Sequence, residues 1–364
     1  MKNAAFSIEE LFRFLDAGVS AFHSTAAAAA ILEAEGYVNC PESAAWELVP
    51  GGKYYTTRNG SAVLAWRMPK GELTGWHAAA SHSDSPTWRI KQFDTEDKVF
   101  AKAEVEGYGG MIMPSWLDRP LTVAGRLLVR TESGIESRLV CPDRALACIP
   151  NLCIHFSRDL NNGMKYNLAV DMQPLYGGEK GGFRRRIAEA AGVTEDALLT
   201  HDLFLYNPQP GVTWGDYISA PRLDDLQCAF ASLRGFLTAE ESHSACVYCL
   251  FDNEEVGSET KQGAASTFLA ETLERICDAL GLTLRTMAAS SFLLSCDNAH
   301  GVHPNHPEYA DKNHSVRMNG GVVIKFNANQ RYTTDGVSCA LFTAVCREAK
   351  APVQVYANRS DLPG

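Results

Sequence analysis

Apolar residues follow two rhythms along this chain, and the change from one to the other divides it. Near the start, Phe6, Leu11, Phe12, Phe14 and Leu15 recur at helical spacing behind Ser7 and Glu10, which are set as a capping box. Residues 25–35 predict a second helix closed by Gly36. Residues 53–58 and 62–67 are rich in β-formers and flank Asn59 and Gly60, the pair suited to a type I′ hairpin turn. Residues 73–80 predict another strand, which delivers the chain to Ser81, His82, Ser83 and Asp84. From 92 to 215 the texture is short β runs and turns, broken by a helix at 182–191 and a second beginning near Thr194. This reads as a mostly β module inserted into a larger fold. After Asp216, helices at 225–237, 262–280 and 336–350 alternate with apolar strands at 245–251, 291–296, 322–327 and 353–357. That alternation predicts an α/β fold, its sheet mixed or mainly parallel and covered by helices on both faces. The expected organisation is a discontinuous domain, 1–91 plus 216–364, around an inserted β-rich domain, 92–215.

Composition narrows the partners. With 46% hydrophobic residues in 364, the chain has enough core for one large domain or two. A net charge of −10 and the lack of any basic run exclude nucleic acid or an anionic membrane as the main partner. Glu9, Glu10, Arg13 and Asp16 interrupt the first helix, so it is not a secretory signal, and the apolar run 26–32 is too short to span a bilayer. Eleven cysteines without an export signal predict reduced thiols in the cytoplasm. Cys246 and Cys249 form a CxxC inside an apolar strand, where they face opposite sides and read as core.

Metal-ligand residue types follow the apolar runs: His82 and Asp84, Asp224 beside Asp225, Glu254 with Glu255, and Asp297. Each has an ordinary reading alone. A histidine after a strand is commonly a hydrogen-bonded structural group, Asp224 or Asp225 could cap a helix, Asp297 suits a turn, and two glutamates suit a solvated one. Gathered at the strand ends of one sheet, these carboxylates would repel one another unless cations neutralised them. As neighbours at a strand end, Glu254 and Glu255 point in different directions, so one can bind metal while the other moves a proton.

The motifs SHSDSPTWRIK (81–91), APRLDDLQ (220–227), FDNEEVGS (251–258), CDNAHGVHPN (296–305) and VIKFNANQRY (323–332) resemble, in order, those of the M18 metallopeptidases, the aspartyl aminopeptidase family. WLDRPLTVAGRL (116–127) and IPNLCIHFSRD (149–159) match its internal module. The resemblance implies a two-zinc aminopeptidase fold interrupted by a dimerisation domain, with dimers assembled into a dodecamer. It implies two divalent ions, zinc first, with manganese or cobalt as alternatives. His82, Asp224 and Asp297 would hold one, and Asp224 would bridge to a second held by Glu255. Glu254 would be the general base, Asp84 would orient His82, and His155 would reach the site of a neighbouring subunit. The implied substrates are peptides with a free N-terminus, preferably acidic, with Lys325 first and Arg331 second as the recognising cation and His303 lining the pocket. A neutral preference, or an assembly subunit with an impaired site, are the alternatives.

The family's last ligand to the second metal is a histidine beyond the turn that NRSDLPG (358–364) resembles. The sequence stops at Gly364, inside that turn, so truncation is expected, with weak second-metal binding and weak activity in the chain as given.

Overall fold

A computed structural model describes residues 6–95, 97, 99–240 and 243–362. The N-terminal capping box is present: Ser7 and Glu10 satisfy each other's backbone N–H groups at the head of the helix Ile8–Ala17. The second helix, Ala21–Ala34, starts earlier than its apolar spacing predicts because Ser20 caps it through His23 N. The chain divides into two compact units, residues 1–297 and 298–364.

The first unit carries two larger sheets. One is mixed, in the order Val38–Asn39, Lys53–Arg58, Ala62–Arg67, Ser244–Phe251, Gly75–His82, Phe292–Ser295. Its hairpin turns at Asn59 and Gly60, both at positive φ, a conformation that asparagine and glycine accept at least cost. Alternation along the central strands fills both faces. Val63, Ala65, Tyr248 and Leu250 pack with Leu226, Phe230 and Leu233 of the helix Leu223–Thr238. Leu64, Trp66, Val247 and Cys249 pack on the other face with Phe268 and Ile276 of the helix Phe268–Leu280. Cys246 and Cys249 accordingly join opposite faces, and both are free thiols.

The second sheet is wholly antiparallel, in the order Glu104–Tyr108, Thr87–Gln92, Leu198–Tyr206, Thr122–Thr131, Gly134–Val140. It has its own core, centred on Trp88, Val123, Leu127 and Leu203 with Phe183 and Ile187 of the helix Gly182–Ala190. Sheet membership begins at Thr87, before residue 92. The helix expected near Thr194 is only the short 3-10 turn Glu195–Ala197, because the following residues pair with Thr122–Thr131. The helix expected from 262 starts at Phe268 instead. The residues ahead of it form a turn, with Ala265 N donating to Ser258 O and Ser266 N to Gly263 O.

The second unit contains a βαβ element: parallel strands Val322–Phe326 and Val353–Ala357 joined through the helix Gly336–Glu348. Pro363 and Gly364, the end of NRSDLPG, lie outside the described residues. Among the described residues, no helix is long and apolar enough to cross a membrane.

Candidate metal centre

Parallel pairing decides which residues meet. Phe251 lies opposite His82 and Ser295 opposite Ala80, so three neighbouring strands run the same way and end within two residues of one another. At or just beyond those ends come His82 to Asp84, Asp252 to Glu255, and Asp297. The strand expected to stop at residue 80 continues to His82, which buries the imidazole at 4% exposure. The helix Leu223–Thr238 contributes Asp224 and Asp225 from a first turn held off helical angles, after Arg222 at positive φ. Strand ends of this kind are where α/β sheets place their ligand sites.

The imidazole is the centre of the cluster. Its Nε2 is 3.4 Å from Asp224 Oδ1, 3.9 Å from Asp297 Oδ1 and 4.0 Å from Glu254 Oε2. Its Nδ1 faces Asp84, 3.1 Å from the carbonyl and 3.3 Å from Oδ1. Ligand atoms of His82, Asp224, Asp225 and Asp297 lie within 4.8 Å of one another, as do those of His82, Glu254 and Glu255. Asp84 ties the two groups together: its carboxylate accepts from Glu254 N, Glu255 N and the Tyr108 hydroxyl. The glutamates do not extend the strand. Asn253 at positive φ turns them into a 3-10 turn, Glu254–Val256, and its side chain is fixed by Tyr108, Thr260 and Gln262.

Electrostatics gives the cluster an appetite for positive charge. Burial opposes a charged His82, yet Asp224 and Asp84 accept from it and raise its pKa to about 11. Burial, with His82 pulling the other way, raises Asp225 to about 7. Glu255 is raised to about 7 by burial and then by the acids around it, again against His82, and Glu254 is raised for the same reasons. Burial also raises Asp252 to about 7, helped by Asp84. These side chains fit a divalent metal. Imidazole and carboxylate ligands about 2.0–2.2 Å from a tetrahedral ion stand roughly 3.4 Å apart, the spacing of His82 and Asp224.

The other candidates lie elsewhere. His155 is exposed on a turn and belongs to neither ligand group. His303, Lys325 and Arg331 are in the second unit. There His303 Nδ1 accepts from Asn305 N, Lys325 donates to Asn298 O with its ammonium 5.3 Å from the Tyr332 ring, and Arg331 is exposed. Three contributors carried no clear signal in the sequence. Tyr108 sits in a β run of the expected insert, Asn253 acts through its backbone turn, and Asp225 was visible only as the double of Asp224.

Residues 14–364 match the family described as Aminopeptidase I zinc metalloprotease (M18). A probable M18 family aminopeptidase 2 of Clostridium novyi is 38% identical over all of this chain and 88% of its own length. A crystal structure of prApe1 superposes with a TM-score of 0.91 at 28% identity, covering 98% of this chain and 83% of that one. The mApe1 dodecamer of S. cerevisiae gives 0.85 at 29% identity, covering 96% and 84%. With the family matched along nearly the whole chain and the ligand cluster assembled at its strand ends, the chain belongs to the M18 family and is a metal-dependent aminopeptidase.

Proposed function

We propose that this aminopeptidase works with two divalent ions, zinc first, and releases single N-terminal residues, preferably aspartate or glutamate. The observation that carries the reading is the gathering of Asp224, Asp297, Glu254 and Glu255 around one imidazole, more negative charge than a single dication offsets. His82, Asp224 and Asp297 would hold one ion, and Asp224 with Glu255 the other. Such a pair supplies an activated water and polarises the scissile carbonyl. Glu254, partly exposed and with its carboxyl raised by burial, is suited to accept a proton and return it to the leaving amine. Asp84 fixes the His82 ring and the Glu254 turn together, which holds base and ligand in one frame.

The antiparallel sheet is the inserted module of the expected organisation, and we assign it the subunit contact. The S. cerevisiae relative is a dodecamer, and this chain is proposed to form a homo-oligomer in which His155 of a second copy steadies the developing oxyanion. Lys325 is the proposed partner of an acidic first side chain.

Metal titration of chelator-treated protein tests the reading with Glu- and Leu-headed peptides as substrates. Activity should return only with the second equivalent of metal and favour the Glu peptide, and Lys325→Ala should remove that preference. Glu254→Gln should keep its metal and lose about 10²- to 10⁴-fold in kcat. Full activity with one equivalent, or an undiminished kcat in Glu254→Gln, would overturn it, and a Leu preference would return the neutral alternative.

A further inference from the structure

A cavity of about 710 Å³ adjoins the metal cluster, within the size range of pockets that enclose small ligands. Its wall includes Asp84 and Asp252 from strand ends of the first sheet, Asp224 from the first turn of the helix Leu223–Thr238, and Trp116 and Arg119 from the segment that joins Glu104–Tyr108 to Thr122–Thr131 of the second sheet. The cavity is thus acidic where it meets the site and basic where the second sheet contributes. Most of its cations are already matched. Arg126 donates to Asp202 and to Asn59, Arg89 lies 3.5 Å from the same Asp202, and Arg222 donates to Leu15 O. Arg119 is different: among the described residues none of its nitrogens has a hydrogen-bond or ion-pair partner, whereas Arg222, whose Nε is likewise buried and unmatched, still donates through Nη2. Arg119 is half-buried on the cavity wall, and the planar fork of a guanidinium without a protein partner fits a carboxylate.

We infer that this cavity receives the part of the substrate beyond the scissile bond, with Arg119 binding its C-terminal carboxylate. The preferred substrates are then short oligopeptides that are zwitterionic end to end, with the ammonium toward the acidic end of the cavity and the carboxylate at Arg119. The inference rests on the aminopeptidase assignment and adds a substrate class to it. A substrate with a blocked C-terminus leaves Arg119 unmatched, and a long protein chain cannot end inside the cavity.

The test compares tri-alanine with its C-terminal amide, by hydrolysis in the metal-loaded enzyme and by calorimetric binding to the Glu254→Gln protein. The free acid should be favoured about 10- to 100-fold in both readouts, as expected for a charge-assisted hydrogen-bond pair. In Arg119→Gln that ratio should fall to near one. A merely structural role for Arg119 would lower both peptides alike and keep the ratio, which would overturn the inference. So would equal binding of acid and amide by the parent protein, whether or not it hydrolyses either. An amidated peptide with glutamate at its third position that binds as tightly as the free acid would replace the terminal-carboxylate reading with a side-chain one. Loss of hydrolysis with the binding ratio intact would count against the catalytic reading and leave this one standing.

Discussion

The two sheets of the first unit handle charge in opposite ways. In the antiparallel sheet and its loops, acids are set against cations: Asp202 against Arg126 at 2.8 Å, Glu104 against Lys91 at 2.7 Å, and, between two strands, Asp97 against Lys102. At the end of the mixed sheet, acids gather around an imidazole instead. A histidine in each registers the difference. His201, on an antiparallel strand and 4.5 Å from the Phe93 ring, has its pKa lowered by burial. His82 is buried too, yet the acids that accept from it lift its pKa to about 11. Charge compensated in place is architecture, whereas an uncompensated excess of carboxylate is a place for a cation.

The largest effect expected from this contrast is at His82. Replacing it with alanine removes the one imidazole ligand and leaves the acids to repel one another. Metal affinity and kcat/KM should both fall by about 10³-fold or more, because metal binding and catalysis share this group. Elemental analysis after dialysis would read the loss directly. Wild-type metal content in His82→Ala would break the contrast at its centre.

Arg126 tests the other side. Its guanidinium donates to Asp202 and Asn59 and lies 4.4 Å from the Phe22 ring, with 17% of the side chain exposed. Alanine there should cost about 2–3 kcal/mol, below the value for a fully buried pair because solvent screens part of the interaction. Urea unfolding would measure it. Metal content should not change, and a loss of metal would mean that the two sheets do not divide charge as described.

How much of this was legible in the sequence follows from how local each signal is. The Asn59–Gly60 turn and the Ser7 cap depend on neighbours and were readable residue by residue. The ligand residues were readable as chemistry, but their meeting depends on Phe251 pairing with His82, a contact between residues far apart in sequence. The missed parts share that property. Tyr108 reaches Asp84 from another sheet, and Asn253 matters through a backbone angle that no pattern of apolar positions encodes. The helix expected near Thr194 failed for the same reason, since pairing with a distant strand overrode local preference.

The smallest expected effect separates the histidines by pH. An unfolded histidine titrates near 6.5, and burial holds His201 below that value in the folded chain. As pH falls through about 6.5, the unfolded state takes up its proton first, so stability tied to a neutral His201 is present above that pH and lost on acidification. Glu255, raised to about 7, titrates over part of the same range, so the wild-type curve alone would not isolate the effect. The difference between wild type and His201→Phe, both chelator-treated, cancels the shared groups. Urea midpoints from about pH 8 to about pH 5 should converge or cross, with wild type losing more on acidification. Parallel curves would mean that His201 is not held neutral by burial, and the contrast between the sheets would then rest on their carboxylates alone.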